Sequence, residues 1–127
     1  MTSTDDSTDT KEMLPPDSLL ELDEYLAMFR ALGDRTKFRI VAKLVEGDQT
    51  EDELPESLPA SREAIASSLS ELVDAQLIEK RARNDESGLH RYYRCTIYGK
   101  VLLQNGIQEL FNREWEMRDA YNSDSGG

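Results

Sequence analysis

The first third of the chain carries apolar residues at the spacing of an amphipathic helix. The positions that mark it lie three or four residues apart: Leu19, Leu22, Leu26 and Phe29. Asp17 is predicted to cap this helix and Gly33 to end it, since short polar side chains bind free amides at a helix start and glycine suits the position after a helix end. Further apolar residues lie between these positions, so the helix can face a core on one side and a partner helix on another.

Two more helices are predicted from the residues at their ends. Asp34 caps a second helix, which ends at Gly47 and carries its own apolar face. The segment TEDE at 50–53 fits a capping box, in which a hydroxyl and a carboxylate satisfy two free amides. The third helix is short because Pro59 closes it, and Pro55 is awkward inside it because proline lacks an amide hydrogen.

Ser61 is predicted to cap a longer fourth helix. One face of this helix is predicted to hold Ile65, Leu69, Leu72 and Gln76. The opposite face holds Glu63, Ser67, Ser70 and Asp74. At 100° per residue, the polar face points away from whatever the apolar face covers.

Residues 77–83 and 89–97 have the composition of strands. The five residues between them end in Gly88, which favours a loose hairpin loop. If Tyr93 and Cys95 face inward, alternation turns Tyr92, Arg94 and His90 outward.

Thr96 is predicted to cap a last helix over about 98–118. The Asn105-Gly106 pair lies in its middle and should weaken or kink it, because glycine costs about 1 kcal/mol relative to alanine inside a helix.

The order of elements indicates a mainly α fold with a small β-hairpin wing, that is, a winged helix-turn-helix. The domain is predicted over 17–121, with first and last helices that serve dimerisation. Residues 1–16 are acidic and polar and are predicted to be a disordered tail, as are residues 122–127. At 127 residues the chain buries a modest share of its surface, which makes a dimer plausible.

The net charge of −11 conflicts at first sight with DNA binding. The segment 61–100, which holds the fourth helix and the wing, is the exception, with seven basic and six acidic residues. An acidic surface elsewhere keeps a protein soluble, and it is also typical of halophiles that accumulate salt in the cytoplasm. We therefore interpret the chain as a halophilic, archaeal protein.

Composition narrows the function classes further. One cysteine allows neither an intramolecular disulfide nor a multi-cysteine metal cage, which favours a reducing cytoplasm. The N-terminus lacks the features of a signal peptide, and no apolar run approaches the roughly 18 residues that span a membrane. There is no glycine-rich phosphate loop, and the single histidine has no nucleophile in a triad context, so we expect neither an enzyme nor a cofactor.

Several segments resemble one family of regulators. ALGDRTKFRI at 31–40 is similar to the signature of ArsR-type winged-helix repressors, and SREAIASSLSELVDAQLI at 61–78 to their recognition helix. RYYRCT at 91–96 resembles a wing strand shared by ArsR, PadR and MarR types, and TIYGK at 96–100 looks more PadR- or MarR-like. The match covers roughly residues 18–118.

The resemblance implies a homodimer formed by the first and last helices. The apolar residues assigned to the interface are Leu19, Leu22, Leu26, Ile107, Leu110, Phe111 and Trp115. The alternative is that both helices wrap the core of a monomer. Phe111 and Trp115 could also line a pocket for a small-molecule effector at the interface, although such residues are more often core.

The resemblance also implies contacts with double-stranded DNA. On the recognition helix the candidates are Arg62, Glu63, Ala64, Ser67 and Ser70, and on the wing Arg81, Arg83, His90 and Arg91. Arginine can bind guanine or phosphate, and small hydroxyls can bind either phosphates or base edges. Glu63 and Asp85 would need bridging cations to approach phosphates. The alternative is a solvated helix face and a wing neutralised by Glu79, Asp85 and Glu86.

The sequence favours neither redox sensing nor metal sensing. Cys95 stands where the resembling family usually has leucine, so it is more often a buried apolar residue than a redox sensor. The metal sites of the family require paired cysteines, which residues 50–58 lack, or Asp and His pairs on the dimer helices, whereas His90 is on the wing. No metal site is expected.

The sequence therefore predicts a homodimeric, sequence-specific DNA-binding transcription regulator adapted to high salt. At molar salt the Debye length falls to roughly 3 Å, so long-range repulsion from DNA disappears. The competing class is a winged-helix protein-interaction module that binds no DNA.

Overall fold

The computed structural model describes residues 14–126, with side chains described as far as residue 121. The helices are α1 Leu22–Leu32, α2 Arg35–Glu46, α3 Leu54–Ser57, α4 Arg62–Asp74, α5 Ile97–Val101 and α6 Gln108–Gly126, with a π-helical segment Leu102–Ile107 before α6. The strands are β1 Ile78–Asp85 and β2 Gly88–Cys95. Mostly helical structure with one hairpin confirms the predicted fold class. The predicted tails stay predictions, and residues 1–13 and 127 lie outside the described residues.

The first helix begins four residues later than predicted, and the prediction that Asp17 caps it is wrong. Glu21 is the capping residue, and its amide donates to Glu24 Oε1 across 3.1 Å. The preceding chain is held in a turn, because the Ser18 amide donates to the Pro15 carbonyl and the Ser18 hydroxyl to the Leu20 carbonyl. Leu19 therefore precedes the helix and is 88% exposed.

The cap of the second helix is confirmed, whereas the third helix begins only after the predicted capping box, with Glu53 at its N-cap position. Asp34 Oδ2 accepts from the Lys37 amide at 3.0 Å, and α2 ends at Gly47 as predicted. The reciprocal bonds of the capping box at 50–53 measure 2.9 and 3.2 Å and close a turn directly before α3. Pro55 is the second residue of α3, where the helix needs no amide donor.

The fourth helix starts as predicted, because Ser61 Oγ accepts from the Ala64 amide at 3.1 Å. Its residues Ile65, Leu69 and Leu72 are buried. Gln76 was wrongly assigned to this face: the helix ends at Asp74, and Gln76 lies beyond it with a φ of 65°.

The hairpin is tighter than predicted. Strand pairing runs from Ile78 opposite Cys95 to Asp85 opposite Gly88, which leaves a two-residue turn instead of a five-residue loop. The Asp85 carboxylate accepts from the Ser87 amide at 2.9 Å, and Gly88 takes a φ of 120° that favours glycine. Gln49 pairs with Tyr93 of β2 in an isolated antiparallel bridge, so a short third segment lies beside the hairpin.

The core lies between α1, α2, α3, α4 and the base of the wing. Met28, Ile40, Leu54 and Leu77 are among its buried side chains, and Leu103 of the π-helical segment completes it. Thr96 caps α5 as predicted, with its hydroxyl accepting from the Gly99 amide. The Asn105-Gly106 pair lies in the π-helical segment, which is the interruption expected there.

The last helix continues past the predicted end at 118. Every described side chain over 108–121 is exposed, so α6 does not pack on the core of its own chain. Within the described part of the chain, no helix is long and apolar enough to cross a membrane.

Candidate nucleic-acid interface

The fourth helix presents a continuous exposed face opposite the core. All five residues predicted to contact DNA are exposed on it: Arg62, Glu63, Ala64, Ser67 and Ser70. The buried side of the same helix, centred on Leu69, fixes which way this face points. The N-terminal end also carries the partial positive charge of the helix, which favours a phosphate there.

Arg62 is held by a carboxylate that the sequence did not indicate. Its Nη1 donates to Asp52 Oδ1 at 3.2 Å, and both side chains are largely exposed. Glu51 and Glu63 line the same shallow recess beside Arg62. The start of α4 therefore carries more negative than positive charge, and Arg62 must leave or share Asp52 to bind a phosphate or a guanine.

The strand register divides the wing candidates between two faces. Arg81 pairs with Tyr92 and Arg83 with His90 on one face. On the other face Ala82 pairs with Arg91, on the side that continues the buried Tyr93 and Cys95. Arg83, His90 and Arg91 are all near the turn, but they do not form a single surface.

Carboxylates neutralise part of the wing. Glu79 Oε1 lies 3.8 Å from Arg81 Nη1 and 3.5 Å from Arg94 Nε. Asp85 Oδ1 lies 3.1 Å from His90 Nε2. The alternative interpretation of a locally neutralised wing is therefore supported for Arg81 and Arg94, and the Asp85 carboxylate lies beside His90.

Two wing arginines differ from Arg81 and Arg94 in their partners. No carboxylate among the described residues pairs with Arg83 or Arg91. Arg83 lies over the ring of Tyr92 at 5.7 Å from guanidinium carbon to ring centroid, a cation–π contact. Tyr92 thus supports a basic group. The alternation of side chains along β2 did not reveal this role, because Arg83 lies diagonally across the hairpin from Tyr92 and not directly opposite it.

The wing turn brings together serine, histidine and aspartate without forming a catalytic triad. Ser87 Oγ and Asp85 Oδ1 both approach Nε2 of His90, at 2.7 and 3.1 Å. A general base needs its second nitrogen for the orienting carboxylate, whereas here both partners share one nitrogen. The Ser87 hydroxyl and amide, and to a smaller extent His90, lower the pKa of Asp85, so the group acts as an ionised brace for the turn.

Cys95 lies in the core. Its Sγ lies 3.5 Å from the Val41 carbonyl oxygen, and burial raises the pKa of the thiol to about 11. Such a thiol stays protonated near neutral pH and reacts slowly, which favours the core interpretation over redox sensing. Among the side chains that the structure describes, no group of three His, Cys, Asp or Glu could hold a metal ion.

The residues predicted to form a dimer interface lie mostly at the surface. Leu110, Phe111 and Trp115 of α6 are between 51 and 68% exposed. Leu26 of α1 is exposed too, whereas Leu22 is half-buried and Ile107 packs against the core. The alternative, in which both helices wrap their own core, holds for one face of α1 and is wrong for α6 through residue 121.

Comparisons with known proteins agree with this geometry. A family model described as HxlR-like helix-turn-helix matches residues 31–122. A search of the curated proteins found no match.

Solved structures share the fold. The transcriptional regulator YodB from B. subtilis, in its reduced form, is 24% identical with a TM-score of 0.63, over 73% of this chain and 90% of that one. An ArsR-like transcriptional regulator from Rhodococcus sp. RHA1 is 29% identical with a TM-score of 0.52, over 78% and 89%. The homodimeric winged helix-turn-helix DNA-binding domain of Mb0332 from Mycobacterium bovis is 20% identical with a TM-score of 0.61, over 76% and 85%.

Proposed function

The chain belongs to the HxlR-like helix-turn-helix family of winged-helix transcription regulators, and on that premise we propose that it is a homodimeric, sequence-specific DNA-binding regulator that works at high salt. The observation that carries this proposal is the exposed polar face of α4, with Arg62, Ser67 and Ser70 on the side opposite the core. These side chains suit phosphates and base edges, and a helix of this length fits the major groove. The wing adds Arg83 and Arg91.

Dimerisation supplies two recognition helices for a pseudo-palindromic site. It is supported by the apolar side chains that α6 exposes, since exposed apolar patches of this kind mark protein interfaces. The Mb0332 domain is described as homodimeric. We propose that α1 and α6 of two chains pack together through Leu26, Phe111 and Trp115, with Leu19 and Leu110 at the edges.

High salt screens the repulsion expected between DNA and a protein with a net charge of −11. In dilute buffer the carboxylates around Arg62 repel phosphates, whereas at molar salt only contacts within a few ångströms matter. Cations can then bridge Glu63 or Asp85 to phosphate oxygens. This proposal implies a halophilic, archaeal source and a cytoplasmic location.

The test is fluorescence anisotropy of a labelled duplex from the gene's own promoter region, against a scrambled duplex, over a KCl series up to the molar range. We expect a preference for the promoter duplex and affinity that holds or rises with salt. Most DNA-binding proteins lose affinity steeply as salt increases. A monotonic steep loss from low to molar KCl would contradict the salt adaptation while leaving DNA binding intact.

The neutralised arginines favour a second candidate, a winged-helix module that binds protein and not DNA. Asp52 pairs with Arg62 and Glu79 with Arg81, so two arginines that DNA would need already have carboxylate partners. The two functions predict opposite results for the same titration. Absence of binding to any duplex from the promoter region at every salt concentration would favour the protein-interaction module.

A further inference from the structure

Gln76 ends the recognition helix α4 in a conformation that usually belongs to glycine. Its φ is 65°, and its amide donates to the Val73 carbonyl at 3.0 Å while the Leu77 amide donates to the Leu72 carbonyl at 3.1 Å. These two bonds form a Schellman motif, in which the left-handed position favours glycine because a side chain crowds the following carbonyl. Glutamine here is a local disadvantage that other contacts must offset.

The Gln76 side chain reaches the first helix. Its Nε2 donates to Glu24 Oε2 at 2.7 Å, in a partly buried contact between residues 52 positions apart. The Glu21 amide and Gln76 together lower the pKa of Glu24, so the acceptor is a carboxylate and the bond is charge-assisted. The end of α4 is thereby tied to α1.

The Gln76 backbone reaches the start of the last helices. The Thr96 hydroxyl donates to the Gln76 carbonyl at 2.7 Å and accepts from the Gly99 amide at 3.2 Å. Gly99 packs so closely that a Cβ there would lie 2.3 Å from the Leu77 carbonyl oxygen. One residue therefore contacts α1, the junction of α4 with β1, and the cap of α5.

We infer that Gln76 is a positioning residue, which sets the orientation of the recognition helix and wing relative to the first and last helices through Glu24 and Thr96. This inference rests on the proposed function, because it concerns how the same interface is held toward DNA. A change in how α1 and α6 pair in the dimer would reach α4 through these contacts. Packing alone does not explain the glutamine, since glycine would make the same Schellman bonds without crowding.

The test compares four variants with the wild type: Gln76→Gly, Gln76→Asn, Glu24→Ala and the double variant Glu24→Ala/Gln76→Gly. Gln76→Gly removes the side chain and relieves the left-handed backbone, so its melting temperature should equal or exceed that of the wild type. Its Kd for the promoter duplex should nevertheless rise roughly fivefold, with a smaller ratio of specific to scrambled binding. Gln76→Asn is the matched control for backbone strain, because asparagine tolerates the left-handed region but is too short to reach Glu24 in the same way.

The double variant separates the coupling between Gln76 and Glu24 from the loss of the hydrogen bond that caps α1. Glu24→Ala also removes the bond to the Glu21 amide, but that effect cancels in the cycle. We expect the double variant to bind no more weakly than the weaker single variant. Additive losses, or an unchanged Kd in Gln76→Gly and Gln76→Asn, would overturn the inference.

Hydrogen exchange without DNA decides the inference even if the wild type binds no duplex. Glu24→Ala should speed exchange severalfold at the amides of Gln76 and Leu77 and leave α2 around Leu44 unchanged. If no DNA is bound at any salt, the proposed function fails, and the exchange result alone tests whether α1 holds the end of α4. Unchanged exchange at Gln76 and Leu77 would then refute the coupling.

Discussion

Asp52 and Arg62 form an ion pair between the turn before α3 and the start of the recognition helix, with Oδ1 and Nη1 3.2 Å apart. Both side chains are mostly exposed, so water and salt weaken the attraction between them. Only one guanidinium nitrogen is engaged, and the others remain available to an incoming phosphate or base. We therefore expect the pair to oppose DNA binding in dilute buffer and to weaken as the salt concentration rises.

Asp52→Asn is expected to strengthen binding to the promoter duplex about two- to fivefold in dilute KCl and to have little effect at molar KCl, because an exposed pair contributes little once screened. Anisotropy titrations at both salt concentrations measure this. Asp119→Asn on α6 makes the same charge change far along the chain and is the control. Equal effects of the two variants would show that only net charge matters, and weaker binding by Asp52→Asn would mean that Asp52 helps to orient Arg62.

The wing offers a matched pair of arginines. Arg83 stacks on Tyr92 without a carboxylate partner among the described residues, whereas Arg81 lies 3.8 Å from Glu79. Arg83→Ala should weaken binding to specific and scrambled duplexes alike, by about three- to tenfold, and change the salt dependence by roughly one counterion. Arg81→Ala should do less, because its charge is already compensated. A larger loss in Arg81→Ala would contradict the expectation that Arg83, and not the paired Arg81, contacts phosphate.

The caps that the sequence predicted are local, and this is why they were predictable. Asp34, Ser61 and Thr96 each bind an amide three residues ahead. The start of α1 was missed because glutamate is an uncommon capping residue and the apolar spacing continues back through Leu19. Chain-local patterns also set the exposed face of α4 and the inward direction of Tyr93.

Contacts between residues far apart in the sequence could not be predicted from such local patterns. Arg62 and Asp52 meet only because α3 packs beside α4, and Gln76 meets Glu24 across 52 positions of sequence. The division of the wing into two faces depends on the strand register. That register follows from the two-residue turn, which a hydrogen bond within the turn favours over a longer loop.

Dimerisation through α6 can be tested without disturbing the core. Trp115→Glu places a charge on the exposed apolar side of α6, so we expect a monomer by sedimentation and a loss of cooperative DNA binding. The winged domain should still fold, since Trp115 is 62% exposed in the single chain, but its melting temperature should no longer depend on protein concentration. Ala120→Glu adds the same charge at an exposed position about 140° around the helix from Trp115 and should remain dimeric. A dimeric Trp115→Glu would exclude this residue from the interface.

Cys95 should behave as a core residue toward thiol reagents. A pKa of about 11 in place of 9.0 leaves roughly 100-fold less thiolate at neutral pH, and burial slows access further. Reaction with a soluble disulfide reagent should therefore be slow in the folded protein and fast after unfolding in guanidinium. Oxidant should affect DNA binding equally in the wild type and in Cys95→Ser. Fast native labelling, with an oxidant response that Cys95→Ser abolishes, would restore the redox-sensor interpretation.

Replacing glycine by alanine is expected to change the free energy of unfolding in opposite directions at two positions in the C-terminal part of the chain. At Gly99 a Cβ would lie 2.3 Å from the Leu77 carbonyl oxygen, a backbone atom that cannot give way cheaply. Gly99→Ala should therefore lower the free energy of unfolding by about 2–3 kcal/mol, since the cap of α5 must move away from β1. At Gly106, in the π-helical segment, an added Cβ would meet no atom within 4 Å apart from the neighbouring residues and the backbone of its own helical turns. Gly106→Ala should raise that free energy by about 0.5–1 kcal/mol, because alanine loses less backbone entropy than glycine on becoming helical. Urea denaturation of both variants at fixed KCl measures the pair. Destabilisation by Gly106→Ala would mean that the interruption before α6 needs the flexibility of glycine.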